Sequence, residues 1–170
     1  MFRFLGIASL ASLAWLGTVF LGWLTITDPH SSSAAVIADM VGSEVSALWL
    51  SLPAIVLLTT VLARYSSLSR VMPIIGALFA IGAFALSLFS DFYAEPSVLG
   101  IVANATGLAS ASSFAIEVGI GFLAYQVFAL ATAAVLTLSL LTGKRQPASN
   151  KLDSSEVSAD SQSLWDDQNN

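Results

Sequence analysis

The sequence contains no cysteine and few charged residues. With no cysteine among its 170 residues, the chain can form no disulfide framework, no thiolate nucleophile and no cysteine-ligated zinc or iron–sulfur centre. Only 10% of the residues are charged, against about 25% in a typical soluble domain. The chain therefore has too few polar side chains to cover a water-facing surface, which excludes an ordinary cytosolic enzyme and a disordered regulator.

Basic residues and histidine are also scarce. Six Lys and Arg against eleven Asp and Glu give a net charge of −5, and without a basic stripe we expect no nucleic-acid partner. The single histidine, His30, excludes a bis-histidine haem site within one chain. Asp28, Asp39 and Glu44 share a predicted loop with His30, but their spacing matches no metal-ligand motif. No nucleophile elbow or phosphate-binding glycine loop is present, so we expect no metal, no cofactor and no enzymatic activity.

What the sequence has in abundance is apolar residues. Hydrophobic residues make up 56% of the chain, and the mean hydropathy is +0.81. A helix needs about 20 mostly apolar residues to cross a bilayer, and four uncharged runs reach that length. The predicted spans are residues 5–24, 45–63, 71–89 and 119–141. The sequence therefore predicts an all-α, integral membrane four-helix bundle. The first run exceeds the apolar core of about 7–15 residues in an export signal, which favours an uncleaved anchor.

The basic residues indicate the orientation of the bundle. All six lie on one side of the predicted bundle. Arg3 precedes the first span, Arg64 and Arg70 lie between the second and third spans, and Lys144, Arg145 and Lys151 follow the fourth. Because Lys and Arg favour the cytoplasmic side, both termini should be cytoplasmic, with the lipid of a bacterial plasma (inner) membrane as the surroundings. Residues 1–143 form the predicted transmembrane domain, and residues 144–170 form a disordered acidic cytoplasmic tail.

Two connections lie on the opposite side, at residues 25–44 and 90–113. The first is rich in Ser and Ala and is predicted to be a loop. Within the second, Val98–Leu108 is apolar but short and interrupted by Gly and Asn, so we expect it at the membrane surface rather than across it.

Several side chains inside the spans have predicted packing roles. Close helix contact needs small residues at four-residue spacing, as in the pairs Ala8 and Ser12, Gly76 and Ala80, and Ala129 and Ala133. Pro53 should kink the second span, whereas Pro73 falls in the first turn of the third, where proline is tolerated.

The aromatic residues near the outer ends of the spans are typical of an interfacial belt. They are Trp23, Trp49, Phe92 and Tyr93, and Tyr65 near an internal end belongs to the same predicted belt. Trp15 lies mid-span and is predicted to pack, and Tyr125 and Gln126 are predicted to form hydrogen bonds between helices.

Glu117 is the candidate functional carboxylate. An acidic side chain inside the membrane is typical of a proton-coupled transporter. However, the uncharged run of residues 118–143 can span the bilayer without Glu117. Glu117 is therefore predicted to lie at the outer boundary, with a buried functional carboxylate as the alternative.

The tail contains a candidate partner motif. Leu164 and Trp165 stand among acidic and amide residues, a pattern typical of a short motif that binds a protein groove. Acidic neighbours disfavour anionic lipid. The alternative is an unstructured tail with an incidental tryptophan.

Four short features stand in order along the chain. They are Gly42-Ser43-Glu44 before the second span, the short turn Arg64–Arg70, Gly76 early in the third span, and Leu164-Trp165-Asp166-Asp167 in the polar tail. Together they resemble the bacterial family of tryptophan-biosynthesis-associated membrane proteins. Family tails usually close in Pro-Thr, whereas this chain closes in Gln168-Asn169-Asn170. The resemblance implies four membrane helices and an association with tryptophan metabolism.

The sequence thus favours a multi-pass membrane protein of accessory or structural type, with its tail and its external loops as the candidate contacts for a protein partner. The alternative is a small transporter or channel subunit for an apolar or aromatic solute, assembled as a homo-oligomer. Glu117 would distinguish the two classes, because only a proton-coupled carrier needs its carboxylate.

Overall fold

The computed structural model describes residues 2–28, 36–65, 71–106 and 114–142. Helices account for 75% of these residues. In chain order the elements are α1 (Phe2–Thr18), β1 (Gly22–Thr27), β2 (Val36–Val41), α2 (Gly42–Val45), α3 (Ala47–Tyr65), α4 (Val71–Leu88), α5 (Pro96–Thr106), β3 (Ala115–Val118) and α6 (Ile120–Thr142).

Three helices are long and apolar enough to cross a membrane, namely α3, α4 and α6. They contain 19, 18 and 23 residues, and their bounds lie within two residues of the predicted spans. Pro73 occupies the first turn of α4, as predicted, where its missing N–H removes no helical hydrogen bond. Pro53 is buried inside α3. These helices are compatible with the predicted helical membrane protein.

The first predicted span is wrong at its end. Residues 5–24 were expected to form one helix, but α1 ends at Thr18 after 17 residues. Three backbone i→i+3 bonds then carry residues 19–21 through a tight turn, and β1 begins at Gly22. The uncharged run continues past Thr18, and an apolar run by itself does not distinguish a helix from a buried strand.

Helices α1, α3, α4 and α6, which we name the long helices, contact one another in a closed order. Helix α1 packs against α3 and α6, and α4 packs against the same two helices. Small residues mediate these contacts, since all six members of the predicted small-residue pairs are buried. At Gly76 of α4, an added Cβ would lie 2.7 Å from Thr59 Oγ1 and 3.2 Å from Leu136 Cδ1. Glycine therefore sets how closely α4 approaches α3 and α6.

A three-stranded antiparallel sheet, which the all-α prediction missed, lies at one end of the helices. Its strand order is β2-β1-β3. Leu24 and Ile26 of β1 are buried whereas Thr25 and Thr27 are partly exposed, so β1 shows the two-residue alternation of a sheet with one covered face. The predicted loop at residues 25–44 therefore contributes half of β1, all of β2 and most of α2, and the loop at residues 90–113 contributes α5.

The sheet belongs to a small unit that we name the β cap, comprising β1, β2, α2, α5 and β3. Helix α5 has 11 residues, too few to span a bilayer, and it buries Val98 and Val102 completely. The Ser97 hydroxyl donates a hydrogen bond of 2.6 Å to the Val45 carbonyl of α2. Leu24 of the sheet shares one continuous apolar core with the long helices.

Candidate functional site

Trp23 lies where α1 meets the sheet, and it organises the candidate site. Its indole Nε1 donates a 2.8 Å hydrogen bond to the carbonyl of Thr18. Thr18 is the last residue of α1, where carbonyl groups have no partner within the helix. The indole N–H of Trp23 therefore satisfies a carbonyl at the end of α1. Its ring is fully buried and lies against α2 in the rest of the β cap.

Glycines make room for this arrangement. A Cβ on Gly42 would clash with the Trp23 ring, and a Cβ on Gly119 would lie 2.6 Å from the carbonyl oxygen of Gly22. At Gly121 the same atom would meet Gly22 O at 2.6 Å and Trp23 Cδ1 at 2.8 Å. The Gly119 N–H donates to the Trp23 carbonyl at 2.6 Å. The start of α6 is thereby fixed directly against β1.

Around Trp23 stands a set of rings that we name the aromatic cluster. Its members are Trp15, Trp23, Trp49, Phe92, Phe122 and Tyr125. Trp23 is central, with ring-centroid distances of 4.9 Å to Tyr125, 5.2 Å to Phe122 and 5.6 Å to Trp49. Such tilted and edge-to-face pairs contribute about 0.5–1.5 kcal/mol each beyond their burial. The cluster joins α1, β1, α3 and α6 with the segment that follows α4.

The cluster also contains polar atoms without a partner in the described residues. They are Nε1 of Trp15, Nε1 of Trp49 and the hydroxyl of Tyr125, and Thr132 Oγ1 lies two turns further along α6. The Tyr125 ring contacts both indoles, at 5.2 Å from Trp15 and 5.5 Å from Trp49. An unsatisfied buried donor costs about 1–3 kcal/mol. The interhelical hydrogen bond predicted for the Tyr125 hydroxyl is therefore not formed within the described chain.

The prediction of an aromatic belt is wrong for three of its four residues at the outer ends of the spans. Trp23, Trp49 and Phe92 are only 0%, 3% and 7% exposed, because the β cap covers the ends of the helices where a bilayer interface was expected. Tyr93 is 47% exposed. Trp15 is fully buried, as its predicted packing role requires. The glycines at positions 42, 119 and 121 were the sequence signal for this site, and they became interpretable only once their contacts with β1 and Trp23 were known.

Glu117, the candidate carboxylate, lies in β3 and not in a long helix. Its side chain is exposed, and its backbone pairs with Thr25 of β1. On the other side Thr25 pairs with Asp39 of β2, and the Thr25 hydroxyl donates a 2.8 Å hydrogen bond to Asp39 Oδ1. Directly paired residues share a sheet face. Glu117, Thr25 and Asp39 therefore form one polar row across the face opposite Leu24 and Ile26.

The other candidate residues are not brought together. Among the described residues, no three His, Cys, Asp or Glu side chains are grouped closely enough to hold a metal ion. His30 lies outside the described residues, as do Leu164 and Trp165 of the candidate tail motif. Gln126 is partly exposed on α6, beside the buried Tyr125.

Comparison with known proteins finds no relative for this chain: no family model, curated protein or solved structure matches it.

Proposed function

We propose that this protein is a multi-pass membrane protein of accessory type, which crosses a bacterial inner membrane through α1, α3, α4 and α6. Both termini are then cytoplasmic, and the β cap stands on the opposite side. The charges support this orientation. The four long helices contain two charged residues, Arg3 and Arg64, and each lies at the end of its helix remote from the β cap.

The aromatic cluster is the observation that favours an accessory role over transport. A carrier needs a path for its solute between the helices. Here that region is filled beneath the β cap by Trp23, Trp49 and Tyr125, each no more than 3% exposed. The exposed position of Glu117 in a strand also gives a proton-coupled carrier no buried carboxylate in this part of the chain. We infer that the protein serves for display: the β cap is held at one membrane surface, where a partner can bind it.

The orientation can be tested by labelling single cysteines, because the native chain has none. Ala94→Cys places a thiol at an exposed position beside the β cap, and Tyr65→Cys places one at the exposed far end of α3. An impermeant maleimide added to right-side-out vesicles should modify position 94 and spare position 65 until the membrane is opened. Equal modification of both positions would contradict the proposed topology.

The accessory role can be tested by crosslinking in native membranes and purification of the full chain. We expect a stoichiometric partner. Asp39→Lys combined with Glu117→Lys should release a partner that binds the polar row of the sheet. Leu164→Ala combined with Trp165→Ala should release a partner that binds the tail motif. Gln168→Ala is the matched tail control and should release neither.

The same preparations distinguish the transporter alternative. A carrier or channel subunit would purify alone or as a homo-oligomer, and in the proton-coupled case Glu117→Gln would stop its activity. Purification without any other protein from native membranes would refute the accessory role. An association with tryptophan metabolism is part of the proposal only through the resemblance of the short motifs, and it would be supported if the partner were an enzyme of that metabolism.

A further inference from the structure

The foot of the β cap carries an exposed apolar patch. We name the side chains of Phe20, Leu21, Val118 and Ile120 the junction patch. Their exposed fractions are 60%, 46%, 47% and 79%. Ile120 is the first residue of α6. Contact between this much apolar side-chain surface and water is unfavourable, because the free energy falls when apolar surface is removed from water.

The four residues come from two separate parts of the chain and meet at one place. A Cβ on Gly121 would lie 2.8 Å from the Leu21 Cβ, so the turn after α1 touches the start of α6. Val118 pairs with Leu24 across the sheet. The two segments that carry the junction patch, residues 20–21 and 118–120, therefore lie beside each other where α1, β1 and α6 meet.

The junction patch continues the exposed apolar stripes of two long helices. On α6, Ile120 is followed at helical spacing by Leu123, Val127 and Leu130, all more than half exposed. On α1, Leu10 and Leu13 are likewise exposed, and the turn containing Phe20 and Leu21 follows. Such a stripe on a membrane helix faces lipid.

Helix length explains why the apolar surface must extend past α1. At 1.5 Å per residue, the 17 residues of α1 cover about 25 Å, which is short of the roughly 30 Å hydrocarbon layer. The tight turn at residues 19–21 adds about 2 Å per residue, which brings the level of Leu21 to roughly 30 Å. Since Leu21 lies beside Gly121, the start of α6 is at the same depth.

We infer that bilayer lipid covers the junction patch, so that the membrane boundary on this side runs at the foot of the sheet and Phe20 and Ile120 sit in acyl chains. This inference rests on the proposed membrane function. The polar row of Asp39, Thr25 and Glu117 then stands just above the boundary, in water. The foot of the β cap then lies directly at the bilayer surface, with no protein segment separating the two.

The experiment uses single-cysteine variants of the full chain, each labelled with the fluorophore NBD and reconstituted in phosphatidylcholine vesicles. Phe20→Cys and Ile120→Cys report on the junction patch, and Glu117→Cys is the matched control three residues away in β3. We expect acyl-brominated phosphatidylcholine to quench NBD at positions 20 and 120, with quenching by aqueous iodide severalfold weaker there than at position 117.

Two results would overturn the inference. Iodide quenching at positions 20 and 120 equal to that at 117 would place the junction patch in water. Protection from both quenchers would mean that protein covers it, and a disulfide-linked dimer of Ile120→Cys would identify a second copy of this chain.

Leu130→Cys separates failure of this inference from failure of the proposed function. Position 130 lies on the exposed face of α6, about 15 Å along the helix from Ile120 at 1.5 Å per residue. If brominated lipid quenches NBD at 130 but not at 20 or 120, only the inference is wrong. If it fails to quench at 130 as well, the proposed membrane span is wrong.

Discussion

Tyr125→Phe should stabilise the protein. The Tyr125 side chain is fully buried, and its hydroxyl has no hydrogen-bond partner among the described residues. Phenylalanine keeps the ring contacts with Trp15 at 5.2 Å and Trp23 at 4.9 Å and removes only the unsatisfied group. Because such a group costs about 1–3 kcal/mol when buried, we expect the free energy of unfolding to rise by about that amount.

The change can be measured by thermal unfolding in detergent, followed through tryptophan fluorescence. For a chain of this size, 1 kcal/mol shifts Tm by about 2–4 °C. Tyr93→Phe is the matched control, because Tyr93 is 47% exposed and loss of its hydroxyl should change Tm little. A lower Tm for Tyr125→Phe would refute the reasoning. It would mean that the hydroxyl has a partner, such as an internal water or a bound polar molecule, and the aromatic cluster would then be a binding site.

Two glycine substitutions test the close contacts in the same assay. Gly76→Ala forces a methyl group to within 2.7 Å of the Thr59 hydroxyl and should destabilise the protein by about 1–3 kcal/mol. Its control is Gly82→Ala on the same helix, where the added methyl group meets no atom within 4 Å. This variant should be neutral or stabilising by up to about 1 kcal/mol. Gly42→Ala would clash with the Trp23 ring and should cost about 1–3 kcal/mol or more, whereas Gly22→Ala has open space. Equal Tm values within either pair would contradict the packing described for it.

The aromatic cluster and the proposed position of the β cap at the membrane surface together limit where a partner could bind. If Trp23 and its neighbours close the cap-side end of the helices, the surfaces left for interaction are the polar face of the sheet and the parts of the chain beyond the long helices.

Hydropathy was sufficient to predict the positions of α3, α4 and α6 to within two residues. These runs are continuously apolar and are bounded by charged or polar residues such as Arg64 and Asp91. Their backbone hydrogen bonds are local, so a run of that length can form a helix without a partner from elsewhere in the chain. The small-residue pairs were predictable for a related reason, because four-residue spacing places both members on one helix face.

The sheet could not be predicted in the same way. Strand β1 is bonded to β2 and to β3, and residues Thr25 and Glu117 lie 92 positions apart in sequence. Strand β3 has only four residues, too few for an alternating pattern to stand out. The 5–24 run is apolar in both its helical and its strand part, so hydropathy does not mark where α1 ends and β1 begins.

The amino-acid sequence alone determined which segments are apolar enough to leave water, since composition fixes the free energy of hydration of each run. It also placed the charged residues at the ends of those segments. Only the tertiary structure decided that Trp23, Trp49 and Phe92 are covered by protein, and that Glu117 stands on an exposed strand. Those outcomes depend on contacts between residues far apart in the chain, and no local pattern specifies which distant backbone will supply the partner.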